Sequence, residues 1–394
     1  MQNTILSRLG VGPVINARNW TSEIGGAPVD ARVLAAAAEV GELAVDMRAL
    51  LEKSGTYLSK LCRCDAAYIT TGASAAMSLT VAACIAREDF NIWNRLPDTS
   101  GCPNEVLVHF AHTQSYTCQW VASGARLVFY GQAGSLSGLE RDLEGRITSQ
   151  TRCVSHTISY NCPARDIVPL GKICEIAHRH GLPVIVDAAA MLPPVENLWK
   201  FFEDGADIVI FSGGKALRAL GSTGLILARG RGANVVKILQ RHGYPNPGWG
   251  RGYKISKEQV VSLVRAVEIF LEEATTDYTT LLGRANRIKQ ALEGLSGFNI
   301  RVIPNDEHYH EHPLAPRVPR VLMEWDTEVT GFNAAELDMA LKSEKPEILL
   351  KERHYADYYS DKAWRIIDTY CVKSEQDDLL VKRICSAVTS LTKK

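Results

Sequence analysis

The chain reads as an α/β protein with a mostly parallel central sheet, helices on both faces, and a smaller α+β domain at its C-terminal end. Three features predict this. Short β-rich runs alternate with helical segments between 65 and 230, the rhythm of strands joined by crossover helices. Two of those runs end in charged residues, Val184-Ile185-Val186-Asp187 and Ile208-Val209-Ile210-Phe211-Ser212-Gly213-Gly214-Lys215. Ligands of an open parallel sheet lie beyond the carboxyl ends of its strands, where such residues are useful. A Gly- and Pro-rich stretch, His242-Gly243-Tyr244-Pro245-Asn246-Pro247-Gly248-Trp249-Gly250, then separates this region from a differently patterned C-terminal third.

In chain order, residues 1–30 read as irregular, punctuated by Gly10, Gly12, Pro13, Gly25, Gly26 and Pro28. Asp30 has the chemistry of an N-cap for a helix through the Ala-rich stretch 31–45. Strands are expected at Ala67–Thr70, Val106–His109, Arg126–Tyr130, Cys153–Ser159, Val184–Asp187, Ile208–Ser212 and Leu225–Ala228. Helices such as Pro169–His180 and Asn197–Asp204 fall between them. The segment 232–255 reads as a crossing loop, followed by one long helix over Ser256–Gly283, a strand at Val318–Trp325 and a terminal helix from about Glu375. The expected organisation is an N-terminal segment 1–45, a large α/β domain 46–250 and a small α+β domain 251–394.

Composition narrows the function. The 394 residues are enough for two domains, and 46% hydrophobic content supports a substantial core. Lys plus Arg and Asp plus Glu number 44 each, so no global basic field exists to attract nucleic acid. The N-terminus lacks the long apolar core of a signal peptide, and no apolar run approaches a membrane span. The ten cysteines form no CxxC pair and suit a reducing, cytoplasmic setting. Cys62 and Cys64 would need two further ligands to hold zinc. His308, His310 and His312 would share one face of a strand, but Asn305-Asp306 and Pro313 around them indicate a loop, so no metal is expected.

The charged strand ends suggest pyridoxal 5'-phosphate (PLP). A strand-end lysine, Lys215, can hold the aldehyde as a Schiff base, and a strand-end carboxylate, Asp187, can keep the ring nitrogen protonated. The run Thr70-Thr71-Gly72-Ala73-Ser74-Ala75-Ala76 carries a strand into a helix through small residues. Its amides and helix N-terminus suit a phosphate, with Thr71 or Ser74 adding a hydroxyl and Ser212 placed to share it. Each element alone also has a plainer reading: a lysine on a surface turn, an N-cap aspartate, a glycine chosen for packing. Rival phosphate motifs are absent, since position 209 is Val and position 216 is Ala where a P-loop needs Gly and Ser or Thr. No Gly-x-Gly-x-x-Gly follows the first strand.

The segment Leu182–Leu198, continuing to Phe211-Ser212-Gly213-Gly214-Lys215, resembles the selenocysteine-synthase-like group of fold-type I PLP enzymes. That group includes bacterial L-seryl-tRNA selenium transferases and D-glucosaminate-6-phosphate ammonia lyases. Val14-Ile15-Asn16-Ala17 with Gly25-Gly26 is similar to its N-terminal segment, and Gly250–Glu258 to the segment linking its domains. The resemblance covers roughly residues 10–350. It implies that Lys215 bonds the cofactor, that Asp187 pairs with the pyridine nitrogen, and that Gly72, Ala73 and Ser74 with Ser212 hold the phosphate. It also places His112 as the ring stacked on the cofactor, where an imidazole could assist proton transfer. Arg251 and Lys254 become candidates for an acidic substrate group or a neighbouring subunit's phosphate, and Asn16 and Trp20 for the active-site mouth. Arg320, Arg353 and Arg365 are candidates for a substrate-carboxylate clamp.

Two departures bear on substrate. Relatives often carry Gly-Pro-Gln shortly after the lysine, whereas here Arg218 precedes Ala219-Leu220-Gly221. The chain also has little room for a tRNA-binding N-terminal domain. The expected protein is a cytoplasmic PLP enzyme acting on a small amino acid or amino-sugar acid, foremost a lyase in which Lys215 removes the α-proton, β-elimination follows and ammonia is released. Aminotransferase, racemase, aldolase and β-replacement chemistry stay open, with a selenium or sulfur transferase or a non-catalytic PLP-fold protein behind them. A homodimer or larger symmetric assembly is expected by analogy, with neither nucleic acid nor membrane as partner.

Overall fold

The computed structural model describes residues 4–131, 136–159, 167–273, 277–303, 317–352 and 362–392. Its strands are β1 (Val14–Ala17), β2 (Ala66–Thr70), β3 (Glu105–His109), β4 (Arg126–Tyr130), β5 (Thr151–Thr157) and β6 (Val184–Asp187), then β7 (Ile208–Ser212), β8 (Gly224–Ala228), β9 (Phe298–Ile303), β10 (Arg320–Asp326), β11 (Glu347–Leu350) and β12 (Lys362–Asp368). Two compact units divide the described residues: one lies within Val29–Glu272, and the other joins residues 4–28 to residues 273, 277–303, 317–352 and 362–392. The N-terminal segment thus divides at Pro28 instead of running to 45. The cause is a non-local pairing, because β1 lies parallel to β11 with Val14 opposite Glu347 and Ala17 opposite Leu350.

The unit Val29–Glu272 is built on a seven-stranded sheet of order β2-β8-β7-β6-β5-β3-β4. Strand β8 is antiparallel to both β2 and β7, and the other pairings are parallel. Strands β3, β6 and β8 are buried at every position. Their near-continuous apolar sequence is what a sheet covered on both faces requires. The helix Ala73–Ala86 is buried from Ala75 onward on all sides, which explains why it carries no polar stripe. Asp30 caps the helix Ala31–Gly41 by accepting the N–H of Arg32.

One sequence-based expectation for this region differs from the structure. The segment 232–255 is not a loop throughout, because a helix occupies Arg231–His242 and buries Val235, Val236, Ile238 and Leu239. Its apolar spacing fits a helix, and the Gly and Pro residues that suggested a loop begin only at Gly243. Of the helix expected over Ser256–Gly283, the described residues form helix over Lys257–Glu273 and from Asp277, continuing to Leu292, and residues 274–276 lie outside the described residues.

In the second unit, antiparallel β12-β10-β9 packs with the helices Asp277–Leu292 and Asp377–Thr392 around Ile288, Leu292, Met323, Trp325 and Ile384. No helix among the described residues is long and apolar enough to cross a membrane.

Candidate active site

Residues proposed from sequence lie at the carboxyl ends of β2, β3, β6 and β7. Lys215 follows β7 through a turn that only glycines permit. A Cβ on Gly213 would lie 2.1 Å from Thr223 Oγ1, and one on Gly214 would lie 2.6 Å from Gly221 Cα. The turn closes through the Gly213 N–H donating to the Thr223 carbonyl at 2.8 Å and the Ala219 N–H donating to the Gly213 carbonyl at 2.9 Å. The departure Ala219-Leu220-Gly221 therefore folds back against the lysine turn and helps to shape it. Arg218, within this turn, adopts a left-handed φ of 55°, uncommon outside glycine.

Asp187 ends β6, buried, opposite Thr157 of β5 on one side and Ile210 of β7 on the other. One carboxylate oxygen accepts the Ala189 N–H at 3.1 Å. Burial raises the Asp187 pKa, while the Lys215 charge and the Ala189 bond pull it back. Lys215 shows the converse: burial lowers its pKa and the Asp187 charge opposes that. An amine displaced in this direction is deprotonated more readily, as a nucleophile or base at neutral pH must be.

The small-residue loop follows the end of β2, in the same sheet as this pair. Thr70 of β2, Gly224 of β8 and Ser212 of β7 lie side by side across three strands. Gly224 has to be glycine, since a Cβ there would lie 2.4 Å from Gly72 C and 2.6 Å from Thr70 Oγ1. Gly72 has a φ of 105° and starts the helix Ala73–Ala86 without a side-chain cap, so the first-turn amides keep their capacity for an external acceptor. Thr71, Ala73, Ser74 and Ser212 are all half-buried around it.

His112 ends the short 3-10 turn Phe110–His112 that follows β3, and it is buried. Its Nδ1 accepts the backbone N–H of Thr157 at 3.3 Å, tying the imidazole to the residue that faces Asp187 across the sheet. The His156 ring stands edge-on to it at 4.7 Å, and the His109 ring lies 5.1 Å away. Sequence reasoning missed Thr157, His156, His109 and Gly224. Only the two buried histidines next to ordinary strand residues could have signalled them.

The other candidates have the following surroundings. Arg251 and Lys254 are exposed, and the Arg251 guanidinium lies 5.2 Å over the Tyr244 ring. In the second unit the Asn16 amide donates to the Asn19 carbonyl at 2.8 Å and its oxygen accepts the N–H groups of Arg18 and Asn19, so it closes a local turn. Trp20 is buried edge-on to Tyr370 at 5.2 Å. Arg320 is bonded to Asp368 at 2.8 Å, and Arg365 to Asp338 at 2.7 Å. These two clamp candidates are thus occupied by carboxylates of the chain itself. Arg353 and the histidines 308, 310 and 312 lie outside the described residues, among which no cluster of His, Cys, Asp or Glu has metal-site geometry.

A buried carboxylate, an amine of lowered pKa, a flat ring and an uncapped helix N-terminus kept clear by Gly224 together match what PLP presents: a pyridine nitrogen, an aldehyde, a ring face and a phosphate. No family model matches the chain. The solved structure of D-glucosaminate-6-phosphate ammonia-lyase superposes with a TM-score of 0.82 and 25% identity, covering 99% of this chain and all of that one. Serine palmitoyltransferase from S. paucimobilis, solved with PLP, shares the fold at a TM-score of 0.56 and 14% identity, over 97% of this chain and 89% of that one. Fold and site thus define a fold-type I enzyme whose cofactor is PLP.

In sequence the chain is 30% identical to a Streptomyces 5'-C-glycyluridine monooxygenase-decarboxylase over 87% of this chain and 83% of that protein. It is 29% identical to the Salmonella typhimurium D-glucosaminate-6-phosphate ammonia lyase over 90% of each. The chain belongs to the selenocysteine-synthase-like group of fold-type I PLP enzymes.

Proposed function

We propose that this enzyme is a lyase that removes the α-proton of a small amino acid or amino-sugar acid, expels a β-substituent and releases ammonia. The observation that supports it is the placement of Asp187 and Lys215 at and just beyond the ends of the neighbouring strands β6 and β7, in a chain similar to D-glucosaminate-6-phosphate ammonia lyase. PLP, when bound, supplies an electron sink for the α-carbanion. Asp187 would hold the ring nitrogen, Lys215 would hold the aldehyde and serve as the base at the α-carbon, and His112 would cover the ring. Thr71, Gly72, Ala73, Ser74 and Ser212 would bind the phosphate. The enzyme works in the cytoplasm as a homodimer or larger symmetric assembly. For Arg251 and Lys254 a role toward substrate rests on their exposure on a segment next to the helix Lys257–Glu273. For Asn16, Trp20 and Arg353 it rests on the sequence resemblance alone.

Screening amino acids and amino-sugar acids against the holoenzyme, with ammonia and keto-acid release followed together, tests this reading. Lys215→Ala should lose both the products and the visible absorption of bound PLP. A wild-type protein that stays colourless with added PLP sinks it. Build-up of pyridoxamine phosphate with an amino donor would instead identify an aminotransferase. A second reading, oxidative decarboxylation, is favoured by the Streptomyces relative. It requires O2 uptake and CO2 release in step with turnover, and elimination requires neither.

A further inference from the structure

The geometry around His112 fixes what that residue can do. A ring nitrogen that accepts a hydrogen bond carries no proton, so with Thr157 N–H donating to Nδ1 the neutral imidazole holds its proton on Nε2. Such a ring can donate from Nε2 but cannot accept a proton there. Protonation at Nδ1 would break the bond to Thr157. The plane of the ring is restrained as well. His156, from β5, meets it at 82° with centroids 4.7 Å apart, and His109, from the end of β3, lies against it at 5.1 Å. His109 is itself held, accepting the Ala111 N–H on Nδ1 at 3.1 Å and meeting Tyr130 edge-on at 5.1 Å. Strands β3 and β5 are direct neighbours, so this packing belongs to the sheet rather than to a loose loop.

We propose that His156 is a positioning residue which, with the Thr157 N–H, locks His112 as the Nε2–H tautomer. His112 therefore serves the reaction as a flat donor ring, and the base is Lys215 alone. This inference rests on the PLP site proposed above and deepens it, and it replaces the proton-transfer role that a histidine at this position suggests.

The test uses holoenzyme labelled with 15N in its histidine rings, with the His112 resonances assigned by their loss in His112→Phe. Long-range 1H–15N correlations should report His112 protonated on Nε2 in the wild type and in His156→Phe, which keeps an aromatic edge. In His156→Ala they should report a mixture of tautomers. Affinity for PLP should stay within about twofold of wild type in His112→Phe and weaken about 2- to 12-fold in His112→Ala, the range expected for loss of an aromatic stack. A wild-type His112 protonated on Nδ1 overturns the proposal, and an unchanged tautomer in His156→Ala overturns the role of His156. If the wild type takes up no PLP, the site reading fails first and the proposal falls with it, an outcome recognisable from the missing visible absorption.

Discussion

Gly224→Ala is the sharpest test of how the proposed phosphate loop is built. The added Cβ would sit 2.4 Å from Gly72 C, 2.5 Å from Gly72 O and 2.6 Å from Thr70 Oγ1. Carbon–carbon contacts are comfortable at about 3.5–4.0 Å, so the neighbours must separate by about 1 Å or more. Two of the three atoms are backbone, and β8 is held by ladders to β2 and β7 on either side. The movement therefore falls on Gly72, the residue that opens the helix Ala73–Ala86. Overpacking of this kind costs about 1–3 kcal/mol. Expressed in cofactor binding, that is a rise of about 5- to 150-fold in the PLP dissociation constant. Quenching of intrinsic fluorescence by PLP, measured beside the melting temperature of the cofactor-free protein, reads both places where the strain can appear. Gly145→Ala is the control: nothing lies within 4 Å of a Cβ there, and a helical Gly→Ala change gains up to about 1 kcal/mol. If Gly224→Ala binds PLP as the wild type does, the link between this glycine and the phosphate loop is wrong, whatever the melting temperature does.

Because burial lowers the Lys215 pKa, the rate of PLP uptake by cofactor-free protein should rise with pH and level off below pH 10.5; a plateau only above that value contradicts the assigned direction. Replacing the pair together, Asp187→Asn with Lys215→Met, removes two buried charges. The cofactor-free double variant should be as stable as wild type or more stable, by up to about 4 kcal/mol in urea unfolding, whereas a loss would show that the pair stabilises the fold. Arg320→Met breaks a fully buried ion pair with Asp368 and should cost about 3–5 kcal/mol of stability. A raised KM with unchanged unfolding would instead restore Arg320 as a substrate clamp.

The contrast between Asp187 and His156 shows why part of this site was legible in the sequence and part was not. Asp187 and Lys215 each follow an apolar run, so strand end, charge and chemistry appear within a few residues of one another. The same holds for the small-residue loop after β2, and all seven strands of the large sheet were expected near their observed places. His156 and Thr157 sit inside a strand of ordinary appearance. They matter only because β5 lies between β3 and β6, an order that is not the chain order. Gly224 looks like the glycine before any apolar strand until the register puts it between Thr70 and Ser212. The pairing of β1 with β11 hid for the same reason, since it joins residues 14–17 to residues 347–350. The arginines failed differently: Arg320 and Arg365 have the right chemistry for a carboxylate clamp, but the carboxylates they meet, Asp368 and Asp338, belong to the chain. Groups proposed to bond the cofactor directly thus announce themselves locally. The groups that aim them are specified by strand order and register, and mutational tests of this enzyme should give the second kind equal weight.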